Sequence, residues 1–291
     1  MATLFNWPPA AETVDLYGDA VQQRLARWNE TRLEPRLPDA DWRHGLDADQ
    51  AMRALEGDFL DRLRGEVREE AAAVPSDPEK FIAWFEALEE QGPGQHDPLF
   101  DWLAEQATTE QMRWYLTQEA AGEAGFEDLT AYTQVKLPSR VKLELARNYW
   151  DEMGRGNPKG MHGPMLDRLV EELALEPAIE TTVRESLALA NAMTAMATRR
   201  DYAWHAVGAL GAIELTAPAR SAAVAAGLKR LGVAAKVRLY FDLHATLDVK
   251  HSLAWNAEAL GPAVSEDPRR SPAIAEGALM RLACGARCCE R

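Results

Sequence analysis

In the segment YFDLHATLDVKH, His244, Asp248 and His251 stand at positions i, i+4 and i+7. At roughly 100° per residue they fall within about 40° of one another on a helix, so one face presents two imidazoles and a carboxylate. That is a set of metal ligands. Mixed nitrogen and oxygen donors suit iron or manganese better than a thiolate-rich zinc site, and oxygen activation is chemistry that such iron sites serve. The same spacing also fits an exposed polar face, so the metal reading depends on whether other helices supply carboxylates.

Three glutamates qualify. Glu214 lies in AVGALGAIELTAPA, where the neighbours are almost all small or apolar over more than two turns. A carboxylate there is expected to be buried, and a buried charge needs a partner or a metal. Glu119 follows Trp114, Tyr115 and Leu116, and Glu152 ends NYWDEMG just after two aromatics; each alone reads equally well as a surface helix residue. His162 comes after Gly154, Gly156 and Pro158, residues that let the chain turn back toward Glu152. Taken alone it is a loop or capping residue. His44, His96 and His205 carry no assigned chemistry.

Helices must position these residues, because strand signals are nearly absent. AETVDLYGDAVQQRLARW, DQAMRALEGDFLDRLRGEV and PEKFIAWFEALEEQ have the three-to-four spacing of amphipathic helices, with Asp, Ser or Pro near their starts. Pro- and Gly-rich punctuation at EPRLPDADWRHGLDAD and QGPGQHDP sets off residues 1–97 as an accessory helical region packed on the core. Residues 98–291 form the body that should carry a site: PLFDWLAEQA, TEQMRWYLTQEAAGEAGF, SRVKLELARNYWDEM and MLDRLVEEL, then a long Ala-rich series. The fold class expected is all-α.

Composition narrows the partners. At 291 residues and 47% hydrophobic content the chain can bury a large core. A net charge of −14 disfavours nucleic acid and anionic membranes. No apolar run is long enough to span a bilayer, and MATLFNWPPAAET lacks the features of a signal peptide, so a cytoplasmic location is expected. Cys284, Cys288 and Cys289 are the three cysteines; they suit packing of a C-terminal helix better than a redox or metal cluster.

The order Glu119, Glu152 with His162 downstream, Glu214, then His244-x3-Asp248-x2-His251 resembles the heme-oxygenase-like diiron oxidases and oxygenases, the iron-containing redox enzymes. LARNYWDEMGRGNPKGMH and FDLHATLDVKH carry most of the likeness, which covers roughly Pro98 to the C-terminus. The resemblance implies a heme-oxygenase-like bundle of about seven core helices, holding two non-heme iron ions, with manganese conceivable in one site. It implies Glu119, Glu152, Glu214 and Asp248 as carboxylate ligands and His162, His244 and His251 as imidazoles. Glu123, one turn after Glu119, is the rival for the first position. Many relatives place the histidine of the second helix within two turns of its glutamate on a continuous helix, whereas a Gly/Pro insert separates Glu152 from His162 here.

The activity implied is O2-dependent oxidation of a small amino-acid-like or fatty-acid-like substrate by N-oxygenation, desaturation or C–C cleavage, through a peroxo-bridged diferric species. Electrons would come from an external donor, and a homodimer is compatible with the sequence. Tyr240 and Trp255, one turn outside the two histidines, share the ligand face and are candidates for the substrate pocket, although ordinary core packing accounts for both more readily. Arg281 is a candidate partner for a substrate carboxylate. Met193, Met196 and Trp204 read as core. A ferritin-like diiron site is disfavoured because the chain contains no Glu-x-x-His. A thiaminase-like or non-catalytic protein of the same fold is the alternative; the former needs a nucleophilic cysteine in its pocket.

Overall fold

The computed structural model describes residues 14–38, 42–123 and 125–291. The opening segment MATLFNWPPAAET lies outside the described residues. The chain is a succession of α-helices: α1 Asp19–Leu33, α2 Leu46–Ala72, α3 Pro78–Gln91, α4 Pro98–Glu105, α5 Thr109–Gly122, α6 Phe126–Thr133, α7 Ser139–Glu152, α8 His162–Glu172, α9 Arg184–Thr198, α10 Ala203–Arg230, α11 Leu239–Trp255, α12 Gly261–Glu266 and α13 Arg270–Cys289. A π-turn over Asn256–Leu260 joins α11 to α12. Among the described residues the one β feature is an isolated antiparallel bridge between Met153 and Met161.

Several helix starts follow from local chemistry. The Asp77 side chain accepts from Lys80 N ahead of Pro78, Asp97 accepts from Leu99 N ahead of Pro98, and Thr108 and Gln111 form a reciprocal capping box. Each satisfies amide donors that the first turn leaves free.

Helix α10 is the central pillar, packed on α13, α11 and α4. Its small residues permit very close approach: a Cβ on Gly208 would fall 1.9 Å from the Ile274 carbonyl oxygen, and one on Gly277 of α13 would fall 1.9 Å from that of His205. Beside this crossing, His205 Nε2 lies 2.8 Å from Glu276 Oε2, and Arg64 of α2 donates to the same oxygen at 2.5 Å. The three side chains tie α10, α13 and α2 together.

The main apolar cluster does not divide at residue 97. Phe59, Leu60 and Leu63 of α2 and Phe81 and Phe85 of α3 are in one cluster with residues of α9, α10 and α13. At about 1.5–3 kcal/mol for each fully buried large side chain, this shared surface is a large part of the folding energy of both regions.

The segment read from sequence as one helix through Phe126 is broken. Helix α5 stops at Gly122, and Gly125 at φ +72° starts α6. Gly tolerates that left-handed turn, which a side-chain-bearing residue resists.

Candidate metal centre

Four helices converge on one buried cluster. Helix α7 ends with Glu152, α8 begins with His162, α10 contributes Glu214, and α11 contributes His244, Asp248 and His251; all six are buried. The spacing on α11 does what helical geometry requires and turns its three residues to one side.

The Gly/Pro insert brings His162 back. Gly154, Arg155 and Gly156 all have positive φ, and the Met153–Met161 bridge closes the loop. A Cβ on Gly154 would lie 2.6 Å from the Gly160 carbonyl carbon, so that position has no room for a side chain. With the loop closed, His162 Nδ1 is 2.9 Å from Glu152 Oε2.

Glu152 faces two ways. Its Oε2 is 2.9 Å from His162 Nδ1 and 3.7 Å from His244 Nε2, while its Oε1 is 3.6 Å from His251 Nδ1. His251 Nδ1 is also 3.4 Å from Glu214 Oε2 and 3.9 Å from Asp248 Oδ1. Two groups result, Glu152 with His162 and His244, and Glu152 with Glu214 and His251; in each, one ligand atom per residue lies within 4.8 Å of the others.

The remaining ring nitrogens are held from behind. His244 Nδ1 is 2.6 Å from the Tyr240 carbonyl oxygen, leaving Nε2 free toward Glu152. His251 Nε2 is 3.3 Å from Asp151 Oδ2, and Asp151 is paired with Arg155 at 2.6 Å. Asn148 Nδ2 donates to Glu214 Oε1 at 2.5 Å. Backing of one imidazole nitrogen by a carbonyl or carboxylate is how proteins fix the tautomer and aim of a metal-binding histidine.

Electrostatics show that the cluster lacks balance by itself. Burial, reinforced by the charges of Glu214 and Glu152, pushes the Asp248 carboxyl up to about 10. Burial also raises Glu214, against the pull of His251. For His251 burial opposes protonation, yet Glu214, Glu152 and Asp151 carry it up to about 9. Asp248 Oδ1 and His251 Nδ1 are buried with no hydrogen-bond partner. Orphaned donor atoms among crowded carboxylates fit a cation that the residues would share, and the N/O donor set suits iron.

Glu119 is placed apart from this cluster. It is exposed to the adjoining cavity, and its Oε2 accepts from the Tyr115 hydroxyl at 3.1 Å. Glu123, at the break after α5, has its Oε1 2.8 Å from His162 Nε2 and also accepts from the backbone N–H groups of Gly125 and Phe126. Burial opposes ionisation of Glu123, but the facing His162 and these amides hold it below the ordinary carboxylate value.

A cavity of about 400 Å³ opens beside the cluster, bordered by Glu152, His162, Glu214, His244 and Asp248. Tyr240 borders it too, with its hydroxyl 3.2 Å from His162 Nε2, and so does Arg281. Trp255 does not. It is fully buried in the core and donates through Nε1 to the Val207 carbonyl at 3.1 Å, because its stretch of α11 lies against α10. Of the residues read as core, Met193 also borders the cavity, whereas Met196 is wholly in the core. Cys288 and Cys289 line the cavity, a placement their position near the C-terminus did not suggest.

Residues 113–286 match the family described as iron-containing redox enzymes. The chain belongs to that family. Its fold is the helical heme-oxygenase-like one, and the matched span runs from α5 into α13, so it contains every residue of the cluster. No curated protein matches the chain.

Asp151, Asn148 and the placement of Glu123 are the parts that sequence reasoning missed or left open. Asn148 stands one turn before Glu152 on α7, and that i, i+4 relation was the available signal.

Proposed function

We propose that this iron-containing redox enzyme is a non-heme diiron, O2-dependent oxidase or oxygenase acting on a small amino-acid-like or fatty-acid-like substrate. The observation that carries the reading is Glu152, whose two oxygens face two different groups of ligand atoms, as a carboxylate shared by two ions would. Glu152, Glu214, His162, His244, Asp248 and His251 would hold the metal pair, with Glu123 rather than Glu119 completing the set at His162. Four carboxylates offset the charge of two ferrous ions. The pair would supply oxygen activation and the oxidising equivalents; the electrons would come from an external donor.

The chain's own residues do the rest. Tyr115 and Tyr240 hold their hydroxyl protons, since burial and nearby carboxylates raise both far above the ordinary phenol value. Tyr240 thereby keeps a protonated hydroxyl as a hydrogen-bonding group at the edge of the cluster. Phe126, Leu189, Met193 and Ile213 line the neighbouring wall and keep it poor in water. The reading includes action in the cytoplasm; among the described residues no helix is long and apolar enough to cross a membrane.

A thiaminase-like alternative gains one observation, the two thiols on the cavity wall. Burial, however, pushes the Cys288 thiol up to about 12, opposite to what an activated nucleophile needs. The deciding measurement is anaerobic loading with ferrous iron, followed by metal analysis and oxygen uptake with candidate acids. About two irons per chain and acid-dependent oxygen uptake are expected. Retention of less than about one iron per chain would sink the dinuclear reading.

A further inference from the structure

Away from the ligand cluster, the same cavity is bordered by Arg220 of α10 and by Arg281 and Gly285 of α13. Arg281 makes no ion pair with any described carboxylate, and its Nε is buried without a hydrogen-bond partner. Arg220 has only the Gly94 carbonyl, at 3.2 Å, and the ring of Phe100, 5.3 Å from its guanidinium carbon. The two guanidiniums meet at Gly285. The point where a Gly285 Cβ would sit is 2.7 Å from Arg281 Nη1 and 3.5 Å from Arg220 Nη1. Guanidiniums remain protonated in proteins, and these two lie side by side with no carboxylate in ion-pair contact, Glu119 on the same wall acting on Arg281 only through space, so their charge is incompletely met.

We infer that Arg281 and Arg220 form a subsite for the carboxylate of the substrate, at the end of the cavity remote from the metal ligands. Their planar N–H forks match a carboxylate. A phosphate fits less well, because the carboxylate of Glu119 is on the same wall and repels a dianion more strongly than a monoanion. Arg220 stands six residues beyond Glu214 on α10, about 9 Å along the helix axis at 1.5 Å per residue. A carboxylate held there does not ligate the cluster, so the acid presents its other end to it. Oxidation then falls on a carbon or nitrogen remote from the carboxyl group, and the carboxyl group is kept. The orientation rests on the dinuclear reading; the anion subsite does not.

The test separates the two. The full chain is treated with chelator, so that no carboxylate can bind through iron, and is titrated by calorimetry with octanoate against octan-1-ol, with L-norleucine against its amide, and with octyl phosphate. In at least one pair the acid is expected to bind at least tenfold more tightly than its neutral-headed counterpart. Arg281→Gln and Arg220→Gln should each remove most of that preference while taking up iron as the wild type does. Gly285→Val, which fills the shared position without removing a charge, should do the same. The inference is overturned if neither acid is preferred, if the preference survives in Arg281→Gln and in Gly285→Val, or if octyl phosphate binds and both acids do not. Failure of wild-type iron uptake with the acid preference intact would instead strike the dinuclear reading alone.

Discussion

At the scale of single residues, the proposed centre gives Asp151 the part of aiming a ligand and Asp248 that of binding. Asp151 backs His251 from the outer side, and loss of such a partner costs roughly 10–100-fold in metal affinity. Asp151→Asn is therefore expected to weaken iron retention by that factor against a competing chelator, with the helical circular dichroism unchanged. Asp248 is a different case, because without metal its charge is a liability. A carboxyl raised to about 10 in the fold, and a His251 raised to about 9, both favour the protonated folded state. The metal-free protein should thus lose stability as pH rises from about 4, where an unfolded aspartate ionises, to about 10, with the histidine share lost between about 6.5 and about 9. In Asp248→Asn this slope should be shallower, and metal-free melting at pH 8 should occur at or above the wild-type temperature. Its stabilisation by ferrous iron should be largely lost. Equal iron-dependent melting shifts in variant and wild type would remove Asp248 from the ligand set.

At the scale of elements, two glycines make opposite kinds of demand. Gly277 lets α13 cross α10, and a methyl group there meets the His205 carbonyl. Gly277→Ala should cost roughly 1–3 kcal/mol or more in urea unfolding, the usual range for overpacking. Gly154, at φ +60°, closes the loop that delivers His162. Gly154→Ala should leave the core near wild-type stability yet lower iron stoichiometry toward one per chain; unchanged stoichiometry would show that His162 is positioned without the loop. These elements also mark what the sequence made legible. The H-x3-D-x2-H face of α11 and the apolar setting of Glu214 could be read directly, because both depend on a single helix. The break at Gly122–Gly125 that turns Glu123 to His162, and the loop that turns His162 to Glu152, could not, because each depends on how two helices meet.

At the scale of the whole molecule, the helical class was legible from the apolar spacing, and residues 1–97, read as an accessory region packed on the core, share one apolar cluster with the helices that follow. Phe59, Leu60, Phe81 and Phe85 are fully buried in a cluster shared with α9, α10 and α13. Residues 98–291 alone should therefore fail to unfold cooperatively and should expose apolar surface to a dye such as ANS. A sharp thermal transition from that segment would show that the first three helices are dispensable. The ion cluster of Arg64, His205 and Glu276 makes the same point, since it joins α2 to the helices that carry the site.

The two thiols on the cavity wall give the molecule an internal recorder. Burial keeps Cys288 in the unreactive thiol form, so peroxide added from outside should modify it slowly. On the proposed O2-dependent reading, an oxidant formed within the cavity would reach it at a local concentration that added peroxide does not attain. During turnover with a poorly fitting acid, mass gains of one to three oxygens on the C-terminal peptide would log each failed cycle, turning the packing of α13 into a measure of how tightly oxygen use and substrate oxidation are coupled.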